Sequence, residues 1–201
     1  MRFILATANQ HKLSEFRAIL APYAVEPMPA DIEPPPEGAE SFRANAGAKA
    51  HARAQILRER AALAPDTHVI ADDSGLEVEA LGGAPGVISS RYAGVHGDDA
   101  ANNAKLLADL AEETEPEARR ARFVSVIACV SADGEEFDVR GEWPGVVATA
   151  PRGFGGFGYD PVIVPDGETR TVAELSDEEK SAASHRARAG RALLAALTGV
   201  P

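Results

Sequence analysis

Two adjacent carboxylates, Asp72 and Asp73, are the residues of this sequence that most directly suggest chemistry. They follow a mostly apolar run at 68–71 that predicts a short buried strand, and residues 76–79 resume an alternating strand pattern. A charge beside a buried strand needs a cation or a metal, because burial disfavours the ionised form. Successive strand residues point to opposite faces, so only one of the two carboxylates can face a given cleft. The pair indicates either a metal-holding, base-supplying carboxylate at a strand end, or a polar turn whose Asp and Ser side chains cap their own backbone.

The residues that follow the first predicted strand could bind a phosphate. Residues 2–6 predict a strand, and a helix with apolar residues at helical spacing follows the break at 7–10. A strand–turn–helix directs free backbone N–H groups at the turn, and Thr7, Asn9 and Lys12 would add a hydroxyl, an amide and a cation. No Walker glycine pattern is present, so the alternative is an Asn-capped helix with a solvated lysine.

A glycine-rich stretch from Gly153 to Pro161 includes two aromatic residues, Phe157 and Tyr159. Glycine lets a backbone approach a ligand closely, and the aromatic rings offer flat faces on which a base could stack. The alternative interpretation is a mobile turn without a ligand.

The start of the final predicted helix carries an unexpected group of cations. Ser176 and Glu179 form the sequence pattern of a capping box. The first two turns then carry Lys180, Ser184, His185 and Arg186. The positive end of a helix dipole does not favour cations. Lys180 and Arg186 therefore indicate a phosphate or nucleobase contact, or else a solvated basic face.

The other predicted elements supply one more candidate pair. A long Ala-rich helix is predicted from Ser41, its N-cap, to about Ala64, and it places Asn45 and Lys49 one turn apart on one face. A mostly apolar strand at 123–130 is followed by Asp133-Gly134, the strongest hairpin signal in the chain. The returning strand begins at 136, and Trp143-Pro144-Gly145 is expected to end or kink it before it resumes at 146–148.

Composition limits the classes of function. The 201 residues are most simply one domain, 1–201, with 45% hydrophobic and 25% charged residues. No apolar run approaches the roughly 20 residues that span a membrane. The net charge of −11 argues against non-specific binding to nucleic acid or to an anionic membrane. The single Cys129 excludes a disulfide framework, so we expect a reducing cytoplasm.

Taken together, the motifs resemble those of the inosine triphosphate pyrophosphatase family. Five stretches occur in the family's order between Arg2 and about Leu197. They are T-A-N-Q-H-K at 7–12, A-D-D-S-G-L at 71–76, a stretch at 82–94 that contains both G-G-A-P-G and S-x-R-Y-A-G, G-G-F-G-Y-D-P at 155–161, and E-E-K-S-A-A-S-H-R at 178–186. Each piece is weak alone, but five in order are highly specific.

The resemblance implies an α/β fold, an elongated mixed sheet with flanking helices and two lobes around a deep substrate groove. It also implies a homodimer, a Mg²⁺ requirement, and hydrolysis of the purine nucleoside triphosphates ITP, dITP and XTP to the monophosphate and pyrophosphate. Asp73 would be the catalytic residue and the Mg²⁺ ligand, and Ser74 would touch the substrate. The remaining binding residues implied are Thr7, Ala8, Asn9, Gln10, His11 and Lys12 at the triphosphate, Phe157, Gly158, Tyr159 and Asp160 at the base, and Lys49, Lys180, His185 and Arg186 closing on base or phosphate.

One residue departs from the family pattern, which reads F-x-E-N-A on the long helix. Here Ala44 stands in place of that metal-site glutamate. Mg²⁺ keeps waters readily. We therefore expect water in place of the lost ligand rather than Glu40, which lies roughly a turn away, about 5 Å along a helix axis.

Two other functions remain open from the residues. A nucleotide-binding module with impaired catalysis is made conceivable by Ala44. A phosphatase with an aspartyl nucleophile would need two Asp on one strand face, one residue apart, whereas Asp72 and Asp73 are adjacent. From the strand alternation we further expect Asp72→Asn to cost less activity than Asp73→Asn.

Overall fold

A computed structural model of the chain describes residues 1–29, 31–32, 38 and 40–199. Its strands are Arg2–Leu5 (β1), Ala24–Pro27 (β2), Thr67–Val78 (β3), Arg120–Ser131 (β4), Glu136–Val147 (β5) and Ile163–Pro165 (β6). Its α-helices are Gln10–Ile19 (α1), Phe42–Glu59 (α2), Asp99–Asp109 (α3), Asp177–Ala183 (α4) and His185–Thr198 (α5). No helix in this part of the chain is long and apolar enough to cross a membrane.

The strands form one mixed sheet in the order β2-β1-β3-β4-β5-β6. β1 pairs in parallel with both β2 and β3, whereas β5 and β6 are antiparallel. In the β1–β3 pair Leu5 lies opposite Ile70, and the Ala6 N–H donates to the Ile70 carbonyl at 2.7 Å. Because parallel strands run in the same direction, the turn that follows β1 lies beside the part of β3 that contains Asp72.

Two interruptions expected from the sequence are absent. β3 continues through Asp72-Asp73-Ser74-Gly75, so the polar-turn interpretation is wrong and the two carboxylates lie within a strand rather than at its end. β5 likewise continues through Trp143-Pro144-Gly145. The backbone of β6 passes so close to Gly145 that an added Cβ would lie 2.3 Å from the Val164 carbonyl oxygen. Glycine is therefore needed there to let β6 pair with β5.

The last helix, by contrast, is divided where no break was expected. Ser176 accepts from the Glu179 N–H and the capping box is present, as predicted. The helix ends at Ala183, however, and Ser184 is extended, with φ −61° and ψ 163°. Lys180 therefore belongs to α4, and His185 and Arg186 open a second helix, α5. The predicted hairpin is confirmed as a turn of four residues, 132–135, that connects β4 to β5.

The chain divides into two compact units, each with its own apolar core. The first unit comprises Met1–Asp73, Ser125–Gly141 and the C-terminal stretch from Arg186, and the second comprises Ser74–Val124 and Glu142–His185. The first core is built from β1, β3, β4, α1 and α5, with Phe3, Leu5, Phe16, Leu20, Ile70, Ile127 and Leu193. The second core includes Leu76, Leu106, Leu110, Phe123, Trp143, Tyr159, Val162 and Ile163.

Arg119 binds four backbone carbonyls of the second unit. It is only 4% exposed. Its guanidinium donates to the carbonyls of Leu110, Glu113, Val147 and Ala148 at 2.7, 2.8, 2.7 and 2.9 Å. These carbonyls lie at the ends of α3 and β5, where a helix or strand leaves acceptors without regular partners.

We expect Arg119→Met to lower the free energy of unfolding by about 3 kcal/mol or more, because four carbonyls lose their donor at once. Arg120→Met is the matched control, since Arg120 forms a partly exposed ion pair with Asp166 and such pairs contribute about 1 kcal/mol at most. Urea unfolding of the two variants measures the difference. Equal shifts of the midpoint would show that the carbonyl contacts are dispensable.

Candidate active site

Asp72 and Asp73 are consecutive in β3, yet they contact different side chains. Both are buried, with 3% and 7% of their surface exposed. Asp72 contacts Lys12, Ser125 and Arg186, whereas Asp73 contacts Asn45 and Lys49. The two partner sets share no residue among these contacts, as expected for neighbours in a strand that point to opposite faces.

The carboxylate of Asp72 is surrounded by donors from three separate elements. Lys12 Nζ of α1 lies 2.8 Å from Oδ2, Ser125 Oγ of β4 donates to Oδ1 at 2.6 Å, and Arg186 Nε of α5 lies 3.4 Å from Oδ2. Arg186 is also paired with Glu15 at 2.9 Å. Burial alone would raise the pKa of Asp72, but the charges of Lys12 and Arg186 and the hydrogen bonds outweigh it and hold that pKa well below its usual value. Asp72 is therefore ionised at neutral pH.

Asp73 is held by two residues of one helix face. Lys49 Nζ lies 2.7 Å from Oδ1, and Asn45 Nδ2 donates to Oδ2 at 3.2 Å. Burial raises the pKa of Asp73 above its usual value even though Lys49 opposes that shift. Ser41 caps this helix, α2, by accepting from the Ala44 N–H at 3.0 Å. The predicted pairing of Asn45 and Lys49 on one face is confirmed, and that face carries them to Asp73.

Residues 7–9 lead into α1, and residues 10–12 belong to its first turn. Asn9 is its N-cap and accepts from the Lys12 N–H at 3.1 Å, while Thr7 Oγ1 accepts from the Asn9 N–H at 3.1 Å. The Asn-capped helix is therefore confirmed, but the solvated lysine is not, because the Lys12 ammonium is paired with Asp72. Thr7 is half-buried, and the intervening residues are exposed: Ala8, Asn9, Gln10 and His11.

A second group of predicted site residues lies in the second unit around Asp160. Lys180 Nζ is 2.7 Å from Asp160 Oδ2, which also accepts from the Phe157 N–H at 2.9 Å. The same ammonium lies 4.7 Å from the centroid of the Phe157 ring, within cation–π range. The Tyr159 hydroxyl donates to the Ser89 carbonyl at 2.8 Å.

Two more predicted site residues belong to the second unit, His185 and Ser74. His185 stacks on Phe123 with ring centroids 4.9 Å apart, and Ser74 is half-buried in β3. Lys180 and Arg186 are 6% and 5% exposed and ion-paired, so the solvated basic face considered from the sequence is wrong.

Two residues that contact the charged residues of the site were not predicted from the sequence, Ser125 and Glu15. Ser125 is the one polar residue in the run 123–130 of β4, which is a usable signal only when the strand order is known. Glu15 lies on α1 between the apolar residues Leu13 and Phe16, and nothing in the local pattern links it to a residue 171 positions away.

The order of activity loss expected for Asp72→Asn and Asp73→Asn stays a prediction, but the two pKa shifts add an expectation about stability. The pKa of Asp72 is lowered by folding, so its ionisation stabilises the fold at neutral pH and this contribution is lost as the pH falls through the folded-state pKa. The raised pKa of Asp73 has the opposite sign, because ionisation there costs stability at neutral pH.

We therefore expect Asp72→Asn to lower the free energy of unfolding by about 3 kcal/mol or more, since the half-buried Lys12 loses its anion and the buried Arg186 keeps only Glu15. Ser125→Ala should cost about 1 kcal/mol. Asp73→Asn should cost far less than Asp72→Asn at pH 7. Unfolding midpoints of the three variants measure this order, and equal losses for the two Asp changes would contradict it.

Comparison with known proteins agrees with the motifs. Residues 3–196 match the sequence profile of the Ham1 family. A dITP/XTP pyrophosphatase of Nocardia farcinica is 49% identical over 206 residues, covering 99% of this chain and 96% of that protein. The dITP/XTP pyrophosphatase of Mycobacterium tuberculosis strain H37Rv is 49% identical over 203 residues, covering 98% and 95%.

Solved structures agree with the fold. The Ham1 protein of Staphylococcus aureus has a TM-score of 0.83 at 38% identity, with 100% of both chains covered. A HAM1 protein of Coxiella burnetii has a TM-score of 0.84 at 36% identity, again with 100% of both chains covered. The α/β fold with a mixed sheet and flanking helices is thereby confirmed, and the chain belongs to the Ham1 family.

Proposed function

We propose that this protein hydrolyses the purine nucleoside triphosphates dITP, ITP and XTP to the nucleoside monophosphate and pyrophosphate, which would remove them from the nucleotide pool. The observation that carries the proposal is the pair of adjacent buried carboxylates in β3 with separate partners. Asp72 contacts Lys12 and Arg186, which keep its pKa low, whereas Asp73 contacts Lys49 and Asn45 and has its pKa raised by burial. Relatives that are 49% identical over nearly the whole chain are named dITP/XTP pyrophosphatase.

The proposed reaction is attack of water on the α-phosphorus. A bond forms from the water oxygen to phosphorus, the bond to the bridging oxygen breaks, and pyrophosphate leaves with the electron pair. Such a transfer needs a positioned water and charge neutralisation but little covalent chemistry from the protein. Asp73 is the proposed general base, because a raised pKa brings a carboxylate closer to the range in which it accepts a proton effectively.

Cations of the first unit are the proposed triphosphate ligands. Lys12, Lys49 and Arg186 each contact a carboxylate in the structure. A phosphate is a stronger multidentate acceptor than a single carboxylate, so these cations can bind it while they remain close to Asp72 and Asp73. Residues Thr7 to Lys12 also begin α1, whose positive dipole end favours an anion.

A Mg²⁺ ion is part of the proposal, and the donor chemistry of Asp73 fits it. Each oxygen of this carboxylate accepts one hydrogen bond, from Lys49 or Asn45, which leaves lone pairs for a hard cation. Within the described ranges no three His, Cys, Asp or Glu residues come together as a metal-binding group. Such an ion commonly binds through one or two carboxylates plus substrate phosphates. When bound, Mg²⁺ would neutralise negative charge on the phosphates.

The group around Asp160 is the proposed base-binding site. Phe157 offers a stacking face, and Lys180 offers a buried donor for an acceptor oxygen on the purine. ITP and XTP carry such an oxygen where ATP carries an amino group. A site built to donate a hydrogen bond can discriminate against a mismatched base by about 10⁴-fold. The homodimer and the cytoplasmic location stay predictions.

A panel of triphosphates tests the function. With Mg²⁺ present, we expect ITP, dITP and XTP to give pyrophosphate as the product, with kcat/KM at least about 10²-fold above that for ATP. We expect Asp73→Asn to lower kcat by about 10²-fold or more, as when a general base is lost. Release of free phosphate, or equal kcat/KM for ATP and ITP, would overturn the proposal. Binding of ITP without turnover would instead establish the impaired binding module that Ala44 makes conceivable.

The replacement at Ala44 allows a separate prediction about the metal. Ala44 is exposed in the first turn of α2, next to Asn45, which contacts Asp73. We expect Ala44→Glu to lower the Mg²⁺ concentration needed for half-maximal rate, and Glu40→Gln to leave it nearly unchanged. Calorimetric titration of Mg²⁺ into the protein with a non-hydrolysable ITP analogue gives a readout independent of turnover. If Glu40→Gln weakens Mg²⁺ about tenfold or more, equivalent to about 1.4 kcal/mol, Glu40 is a ligand.

A further inference from the structure

Helix α3 holds both peptide groups that flank Gly158. The Gly158 N–H donates to Asp99 Oδ2 at 2.7 Å, and the Gly158 carbonyl accepts from Asn103 Nδ2 at 2.9 Å. Asp99 and Asn103 lie one helical turn apart and therefore share a face of α3. We call these two contacts the Gly158 clamp.

The residues on either side of Gly158 are fixed by other contacts. The Phe157 N–H and Lys180 Nζ both bind Asp160 Oδ2, at 2.9 and 2.7 Å. The Tyr159 hydroxyl reaches the Ser89 carbonyl at 2.8 Å. The clamp is thus the part of this arrangement that acts on the backbone of Gly158 itself.

Gly158 is the residue of this segment that most needs such restraint. Its φ is +63°, in the left-handed region, and a Cβ added there would meet nothing within 4 Å. A glycine in open space has many accessible backbone conformations. Rotation about its bonds would move the Phe157 ring relative to the Lys180 ammonium, which lies 4.7 Å from the ring centroid. The clamp selects one of these conformations.

Asn103 is a buried residue with one unpaired acceptor atom. It is 8% exposed, and its Oδ1 has no hydrogen-bond partner among the described residues. A buried acceptor without a partner costs about 1–3 kcal/mol. A flipped amide would turn Oδ1 toward the Gly158 carbonyl oxygen, so the bond to Gly158 fixes the orientation that leaves Oδ1 unpaired. Buried polar groups of this kind commonly mark functional positions.

We propose that Asp99 and Asn103 are positioning residues for base recognition, which hold Gly158 so that Phe157 and Lys180 present one fixed surface to the purine. The inference rests on the proposed function, because it assigns the Asp160 group to the base. It adds residues that no motif of the sequence analysis contained. Preorganisation of this kind lowers the entropic cost of binding, so its loss affects affinity more than the chemical step.

Kinetics of two clamp variants provide the first test. We expect Asp99→Ala and Asn103→Leu each to raise KM for ITP about tenfold while kcat changes less than about threefold. Asp99→Asn should restore KM to within about threefold, because its amide oxygen can still accept from the Gly158 N–H. Asp109→Ala is the matched control, because Asp109 is another carboxylate of α3 and contacts Tyr92 and Lys105 instead of Gly158. The KM of this variant for ITP should be unchanged.

Amide hydrogen exchange supplies a second readout that does not depend on turnover. The Gly158 amide should exchange faster in Asp99→Ala than in the unaltered protein or in Asp99→Asn, with thermal unfolding midpoints of the variants compared in parallel. Two outcomes would overturn the inference and leave the proposed function intact, provided that the protein hydrolyses ITP. In the first, KM for ITP is unchanged in the clamp variants. In the second, KM rises and kcat falls by similar factors and the unfolding midpoint falls as well. If no purine triphosphate is hydrolysed, the proposed function fails, and the role in base recognition fails with it. Hydrogen exchange tests the restraint separately: an unchanged exchange rate of the Gly158 amide in Asp99→Ala would show that the clamp does not restrain Gly158.

Discussion

The first unit depends on one buried negative charge, that of Asp72. A carboxylate with 3% of its surface exposed is tolerated only because Lys12, Ser125 and Arg186 supply compensating charge and hydrogen bonds. These residues belong to α1, β4 and α5, which are far apart in sequence. The same helices pack closely, since a Cβ at Gly190 of α5 would lie 2.4 Å from Ile19 Cγ2 of α1. The charge and the apolar packing therefore require the same arrangement of elements.

The neighbouring residue shows how one strand can create two different carboxylates. Asp73 has a cation beside it as well, but Lys49 does not overcome the effect of burial on its pKa. Asp72 has two cations and a hydroxyl, and its pKa moves the other way. Opposite shifts in adjacent acids allow one to serve as a permanent anion and the other as a proton acceptor. Strand alternation is what makes this separation achievable over a single peptide bond.

Local features of the fold could be predicted from the sequence because they depend on neighbouring residues. The caps at Ser41 and Ser176, the turn at Asp133-Gly134 and the face shared by Asn45 and Lys49 are all of this kind. The unbroken β3 could not be predicted, because the polar run at Asp72–Gly75 is stable in a strand only when distant cations are present.

Other features lacked any local signal. Ser184 is neither Gly nor Pro, so nothing in the pattern indicated that the last helix would divide there. The contacts of Glu15 with Arg186, and of α3 with Gly158, join residues separated by 171 and by more than 50 positions. The motifs identified the family, whereas the side chains that contact the predicted site residues became visible only in three dimensions.

The parallel register of β1 and β3 has a consequence for how this chain can vary. Leu5 lies opposite Ile70, and the side chains of β3 alternate from that point through Asp72 and Asp73. If the start of β3 keeps its register with β1, deleting one residue between Thr67 and Ala71 would turn both acids to the opposite face: Asp73 would take the place of Asp72, and Asp72 that of Ala71. The location of the proposed base is thus specified by a count of residues as well as by residue type. Single-residue insertions and deletions in this strand should be far less tolerated than conservative substitutions.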